Sequence, residues 1–308
     1  MEITKSRLNV IQAIRWDVTP EIIDGWSTPN LYGLLFVSGL IIGYLVVKRM
    51  FKKQNVSDAI LDKLVFYMVL ATIVGARLGH VFFYGPYWDV EVFGQVHRGY
   101  FDHPGDIIKV WEGGLASHGG VIAIIISLFI FSRYVSKKPM LWILDRIAAP
   151  GAIAACFIRL GNLVNSEIIG NDTTVPWGFK FMHNYCPDPD ISNCDWANVP
   201  ISHPSQLYEA IAYLFIFGIL MFMYWKRNAW MRQGLMFGTF LILLFGARFL
   251  IEFTKIPQVP GRSDWALNTG QWLSIPFVLA GMFFLWRGLK RKSEPFVPET
   301  VQDSKGEA

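Results

Sequence analysis

The sequence predicts an all-α integral membrane protein with seven transmembrane helices, a small extracytoplasmic head, an outside N-terminus and a cytoplasmic C-terminus. Hydrophobic residues make up 53% of the 308 positions and charged residues only 17%, whereas soluble domains carry about 25% charged residues. Apolar runs of membrane-spanning length recur along the chain, and lysines and arginines gather in alternate loops between them. These observations favour one polytopic membrane domain over a soluble enzyme.

Each predicted span is an apolar run near the length that a helix needs to cross the hydrocarbon core, about 20 residues. The predicted spans are 25–47, 63–84, 113–132, 141–164, 204–225, 233–253 and 265–286. They define one membrane domain over residues 1–292. The polar segment 293–308 is predicted to be a disordered cytoplasmic tail.

The loop charges predict the orientation of the spans. The loops after the first, third and fifth spans are basic, as is the tail after the seventh, whereas the other loops are longer but hold few basic residues. Because cytoplasmic loops collect lysine and arginine, the N-terminus is expected outside and the C-terminus inside. The long outer segment of about 165–203 is then the predicted head.

Two cysteines of the predicted head, Cys186 and Cys194, are candidates for a disulfide. Disulfides form in oxidising compartments, which is where this loop is expected to lie. Two free thiols are the alternative, because the geometry that a disulfide needs cannot be judged from spacing.

Polar residues within the spans converge near the outer leaflet. His118 lies at the outer start of the third span, Arg159 and Asn162 at the outer end of the fourth, and Arg248 and Glu252 in the outer part of the sixth. Ionisable groups at bilayer depth are costly and mark functional sites. The inner halves of the spans hold almost no such groups, so a polar chamber open to the outer side is expected.

The spacing of these residues suggests anion binding. Arg159 and Asn162 are three residues apart and share a helix face, and Arg248 and Glu252 are four apart and can pair. Guanidinium groups stay charged when buried and bind phosphate through two parallel hydrogen bonds. The alternatives are a snorkelling interface residue for Arg159 and a structural ion pair for Arg248 and Glu252.

His118 lies among glycines and can accept a proton near neutral pH, although a helix-capping role is the alternative. The sequence has no metal-ligand spacing and no phosphate-binding glycine loop, so neither a metal site nor a cofactor is predicted. It also has no separate basic block, so nucleic-acid binding is not expected.

Four ordered motifs resemble the bacterial prolipoprotein diacylglyceryl transferases. They are GGLASHGG at 113–120, RLGNLVNSEIIG at 159–170, HPSQLYE at 203–209 and RFLIEF at 248–253. The resemblance implies an enzyme of the bacterial inner membrane. Its substrates would be phosphatidylglycerol and the lipobox cysteine of preprolipoproteins, its product a thioether, and its released group glycerol phosphate.

The resemblance also implies residue roles. Arg159 and Arg248 correspond to phosphate-binding residues, and His118 corresponds to the candidate base. The supporting positions are Tyr32, Asn162, Asn165, Glu167, Gly170 and Glu252. A tyrosine of the family one turn before the second arginine is replaced here by Leu244, so its role cannot be transferred.

Two other classes of protein are consistent with intramembrane charge. A transporter or channel for an anionic solute would use the same arginines but needs polar groups in both halves of the membrane. A seven-helix receptor or scaffold would hold the charges for structural reasons alone. Neither class accounts for the four ordered motifs.

Overall fold

A computed structural model describes residues 13–23, 25, 29–92, 95–110, 113–186, 195–256 and 267–291. Seven helices in this described part are long and apolar enough to cross a membrane, which confirms the predicted all-α membrane class. The long helices are α1 (Leu31–Lys53), α2 (Asp58–Phe83), α3 (Ser117–Ile130, extended by a π turn at Phe131–Ser136), α4 (Met140–Val164), α6 (Ser205–Arg227), α7 (Leu235–Ile251) and α8 (Thr269–Lys290).

Short elements accompany the long helices. They are β1 (Ile14–Trp16), β2 (Val90–Val92), β3 (Gln95–His97), β4 (Phe179–Phe181), α5 (Met182–Tyr185) and the 3-10 turns Pro104–Ile108, Ala229–Met231 and Glu252–Thr254. β2 and β3 form an antiparallel hairpin, and β1 pairs in parallel with β4. The predicted tail at 293–308 lies outside the described residues, and the sidedness of the chain stays a prediction.

Helix ends differ from the predicted ends where side chains cap the helix. The first helix begins six residues later than predicted, because the Asn30 side chain accepts a hydrogen bond from the Gly33 N–H at 2.8 Å. It also continues through Lys52 and Lys53, whose charge favours a helix C-terminus. α8 begins at Thr269 because Asn268 and Gln271 form a reciprocal capping box.

The chain divides into two compact units. The first unit comprises residues 1–46 and 145–295, and the second comprises residues 47–144. Within the second unit, α2 and α3 approach closely at glycines: a Cβ on Gly119 would lie 2.2 Å from the Gly75 carbonyl oxygen. Small residues allow such close helix contact where no hydrophobic effect drives association.

Within the first unit, the strand β1 belongs to the head. The Trp16 indole N–H donates to the carbonyl of Leu163 at 2.9 Å, in the last turn of α4. Leu163, Phe179 and Phe181 form a buried cluster, against which Trp16 packs. The head is therefore fixed to the end of α4 that carries the RLGNLVNSEIIG motif.

The opposite end of the first unit contains a buried cap. α7 starts after Gly234, whose φ of +94° suits glycine and which has no side chain to cap the helix. Asp145 of α4 supplies the missing acceptor: its carboxylate takes the N–H groups of Gly234 at 2.7 Å and Phe237 at 2.8 Å. A carboxylate at a helix N-terminus satisfies free N–H groups and favours the helix dipole.

Asp145→Ala is expected to lower the free energy of unfolding by about 2 kcal/mol, because it removes a cap and leaves buried N–H groups unpaired. Thermal unfolding of the detergent-solubilised protein would measure the loss. Asp58→Ala is the matched control: this exposed carboxylate, 3.3 Å from Lys48 Nζ, should contribute less than about 1 kcal/mol. Equal losses for the two variants would contradict the capping role.

Candidate active site

The C-terminus of α4 folds back on itself. Ser166 has a φ of +53°, its N–H donates to the Leu163 carbonyl at 3.1 Å, and the Glu167 N–H donates to the Asn162 carbonyl at 2.9 Å. This pair of bonds is a Schellman motif, with serine at the position that usually holds glycine. The turn returns Glu167 to the last turn of α4.

The Glu167 carboxylate binds the two asparagines of the same motif. Asn162 donates to Oε2 at 2.9 Å, and Asn165 donates to Oε1 at 3.0 Å. The carbonyl oxygen of the Asn162 amide then accepts a hydrogen bond from Arg159 Nη1 at 3.0 Å. The structure therefore joins four of the residues singled out by the sequence into one chain of hydrogen bonds.

Arg159 also contacts a carboxylate from α6. Its Nε lies 2.8 Å from Oε2 of the fully buried Glu209, off the line of the N–H bond, so the contact is an ion pair rather than a directed hydrogen bond. Oε1 of Glu209 accepts from Lys255 Nζ at 2.9 Å and from the Tyr213 hydroxyl at 3.4 Å. One buried glutamate thus serves two cations.

Glu252 has a different partner from the predicted one. Among the described residues, its ion pair is with Lys255, at 3.5 Å, and it forms none with Arg248. The pairing of Arg248 with Glu252 expected from their spacing is therefore wrong. The Glu252 N–H still donates to the Arg248 carbonyl, so the two residues lie one helical turn apart. A 3-10 turn follows at Glu252–Thr254, and it brings Lys255 within 3.5 Å of the Glu252 carboxylate.

Arg248 and Arg159 both lie near Tyr213. Tyr213 of α6 lies within electrostatic reach of both guanidinium groups. No described carboxylate forms an ion pair with the partly buried Arg248. An arginine in a membrane span without a counter-ion is costly, so this position suits an anionic ligand.

Tyr32 and Gly170 lie beside the same network. The Tyr32 ring packs on α4, where a Cβ on Gly161 would come within 2.7 Å of it, and its hydroxyl lies within electrostatic reach of Glu167 and Arg159. Gly170 permits a crossing of backbones, since a Cβ there would lie 2.5 Å from the Thr254 carbonyl oxygen. Its N–H donates to the His203 carbonyl at 2.9 Å.

His118 belongs to the second unit. It is the second residue of α3 and is exposed, and no described residue forms a hydrogen bond or ion pair with it. Its role as a base stays a prediction.

Arg77 is a buried arginine of the second unit that has a structural role. Its guanidinium donates to the carbonyls of Asp106 at 2.5 Å, Gly113 at 2.6 Å and Ile107 at 2.9 Å. These bonds occupy its donors and attach the segment after the hairpin to α2. Arg248, in contrast, forms no such bond with any described residue.

Two carboxylates near the hairpin have lowered pKa values. The Gly99 N–H bond, at 2.6 Å, and the adjacent His103 lower the pKa of Asp89. A hydrogen bond from Lys109 lowers the pKa of Asp106. Stabilisation from both contacts is complete above the ordinary aspartate pKa of about 3.9 and is lost as the pH falls through the lower folded-state values.

The predicted disulfide lies at the edge of the described structure. Cys186 is buried with Met182 and Val199, but Cys194 lies outside the described residues, so their pairing stays a prediction. No group of three or more histidine, cysteine or acidic side chains in the described part of the chain could hold a metal ion.

Three residues of the network were not in the predicted site: Glu209, Tyr213 and Lys255. Glu209 had a signal, since it ends the HPSQLYE motif. Lys255 had none, because it follows the sixth span as an ordinary loop lysine would. Tyr213 lies one turn beyond Glu209 and resembles any aromatic residue of an apolar span.

The helices and the buried network define a multi-pass membrane protein with a site suited to an anionic ligand. Residues 23–287 match the family model described as prolipoprotein diacylglyceryl transferase. The chain belongs to that family, and it is a membrane-embedded transferase.

Several similar proteins are named phosphatidylglycerol–prolipoprotein diacylglyceryl transferase. One from Porphyromonas gingivalis is 45% identical over 284 residues, covering 90% of this chain and 95% of that protein. One from Chloroherpeton thalassium is 40% identical over 279 residues, with 90% and 95% covered. One from Bacteroides fragilis is 38% identical over 287 residues, with 92% and 99% covered.

Proposed function

We propose that this enzyme transfers the diacylglyceryl group of phosphatidylglycerol to the lipobox cysteine of prolipoproteins, the first step of lipoprotein maturation. The site is the network around Arg159 and Arg248, facing the outer leaflet of the bacterial inner membrane. One observation carries the assignment of the site: Arg248 has no described carboxylate partner, yet shares Tyr213 with Arg159. The phosphodiester of an anionic lipid supplies the missing counter-charge.

The reaction places negative charge where the arginines lie. The cysteine thiolate of the prolipoprotein attacks the glyceryl carbon next to the phosphate, forming a carbon–sulfur bond. The carbon–oxygen bond breaks, and its electron pair moves onto the departing glycerol phosphate. Guanidinium groups fixed around that phosphate stabilise the transition state more than the ground state.

The network explains why Arg159 is fixed. Arg159 is held from α4 through Asn162 and from α6 through Glu209. A donor that is already oriented needs no rearrangement as charge develops, and its effect is larger in a site that excludes water. Lys255, buried between Glu209 and Glu252, balances the two carboxylates.

The assignment is tested by incubating the purified protein with phosphatidylglycerol vesicles and a lipobox peptide, then measuring the peptide mass. A diacylglyceryl addition on cysteine is expected. A peptide with serine in place of the cysteine should gain no mass, and phosphatidylethanolamine should be a poor donor because its headgroup has no net charge. A peptide that stays unmodified after long incubation with the phosphatidylglycerol vesicles would overturn the proposal.

His118 is the proposed acceptor of the thiol proton. His118→Gln is expected to lower the rate by about 100-fold, the low end of what a positioned base contributes. Initial rates with saturating peptide and phosphatidylglycerol would measure the loss. A variant that retains most of the activity would remove the base role of His118 and leave the arginine proposal intact.

A further inference from the structure

Gln206 connects α6 to the turn that follows α4. It is completely buried in the first turn of α6. Its side-chain N–H donates a short hydrogen bond to the backbone carbonyl of Glu167. The bond therefore joins the start of α6 to the loop at Glu167, and the Glu167 side chain belongs to the network that holds Arg159.

The loop that Gln206 holds is strained. Ser166 has a φ of +53° and Ile168 a φ of +57°, so both neighbours of Glu167 are left-handed. A β-branched residue such as isoleucine is a conformational outlier there. Strained backbone persists only where surrounding contacts over-determine it, and it collects at functional sites.

The contacts close into a ring. Glu167 accepts from Asn162, Asn162 accepts from Arg159, and Arg159 pairs with Glu209. Glu209 lies three residues after Gln206, on the same face of α6. One face of α6 thus holds Arg159 twice, directly through Glu209 and indirectly through Gln206 and the strained loop.

We propose that Gln206 is a positioning residue for the reaction: it fixes the Glu167 loop and thereby sets the direction of the Arg159 guanidinium. The inference rests on the proposed function of Arg159. Gln206 touches no reacting atom in this arrangement. Its effect on the rate therefore requires an arginine at position 159, because the forked guanidinium is the group that is oriented.

A double-mutant cycle separates positioning from general support. Gln206→Met keeps the volume of the side chain but removes the donor. It is expected to lower kcat about tenfold in the wild-type background and less than twofold in the Arg159→Lys background. A lysine cannot reproduce the fork geometry of arginine, so the orientation that Gln206 supplies has little value there. Residues that act through one another are non-additive.

Gln233→Met is the matched control. Gln233 is also buried, and its carbonyl oxygen accepts from Arg291 at 3.3 Å. It directly precedes Gly234, which contacts Asp145, and Arg159 lies fourteen residues further along α4, or about 20 Å away. Whatever factor Gln233→Met produces should be the same in the two backgrounds, as expected for distant sites.

Each outcome is informative. Equal tenfold losses from Gln206→Met in both backgrounds would overturn the positioning role, as would no loss in the wild-type background. Gln206→Glu, of the same shape, replaces Gln206→Met if the methionine variant does not accumulate. Failure of both to accumulate, while Arg159→Lys does, would show a general folding role and overturn the proposal. An Arg159→Lys rate equal to wild type would instead refute the proposed function of Arg159.

Discussion

Arg159→Ala and Arg248→Ala are each expected to lower the rate of diacylglyceryl transfer by roughly 100- to 1,000-fold, the cost of removing one donor aimed at developing charge. Arg248 has no described carboxylate to neutralise it, so its charge is available to the phosphate. Initial rates with saturating peptide and phosphatidylglycerol would measure the loss. The effect should fall mainly on kcat, because the charge on phosphate grows as the carbon–oxygen bond breaks.

Arg77→Ala is the control for this prediction. Arg77 is also an arginine in a membrane span, but four backbone carbonyls accept hydrogen bonds from its guanidinium. Its loss should lower the unfolding temperature, while the rate per folded molecule stays within a few-fold of wild type. Near-normal turnover by either Arg159→Ala or Arg248→Ala would contradict the role of that arginine in transition-state stabilisation.

Contacts within one helix could be predicted from the sequence, and contacts across helices could not. Arg159 and Asn162 are three apart on a continuous helix, and the structure joins them at 3.0 Å. The same reasoning gave the wrong partner for Glu252: its N–H bonds to the Arg248 carbonyl, but its carboxylate lies 3.5 Å from Lys255, beyond the end of α7. The contact between Lys255 and Glu209 links residues 46 apart, and no local periodicity reports such a distance.

The sequence likewise predicted the helices of the fold but not where each helix ends. Hydropathy located seven spans because each helix must cover about 30 Å of hydrocarbon. It did not locate their ends, since these depend on single side chains such as Asn30 at α1 and Asn268 at α8. The pairing of Ile14 with Phe179, which brings the N-terminal strand into the head, is equally invisible to local patterns.

Glu209→Ala is expected to destabilise the protein by about 3–5 kcal/mol, because breaking a buried ion pair leaves an uncompensated charge. Lys255 is 2% exposed and, within the described part of the chain, would keep Glu252, at 3.5 Å, as its one counter-ion. A fall in Tm of roughly 10 °C should follow, measured by thermal unfolding in detergent. Unfolding of Glu209→Ala at the wild-type temperature would show that the network contributes little to stability.

The double variant Glu209→Gln with Lys255→Met separates the two functions of the glutamate. It removes the charges of Glu209 and Lys255 together, and replacing a buried pair by neutral groups of similar size is often close to neutral in stability. Because Glu252 then loses its contact with Lys255, part of the lost Tm should return. The rate should stay low, because Arg159 still lacks the carboxylate that lies 2.8 Å from its Nε. Recovery of both Tm and rate would mean that Glu209 serves only to neutralise Lys255 and does not orient Arg159.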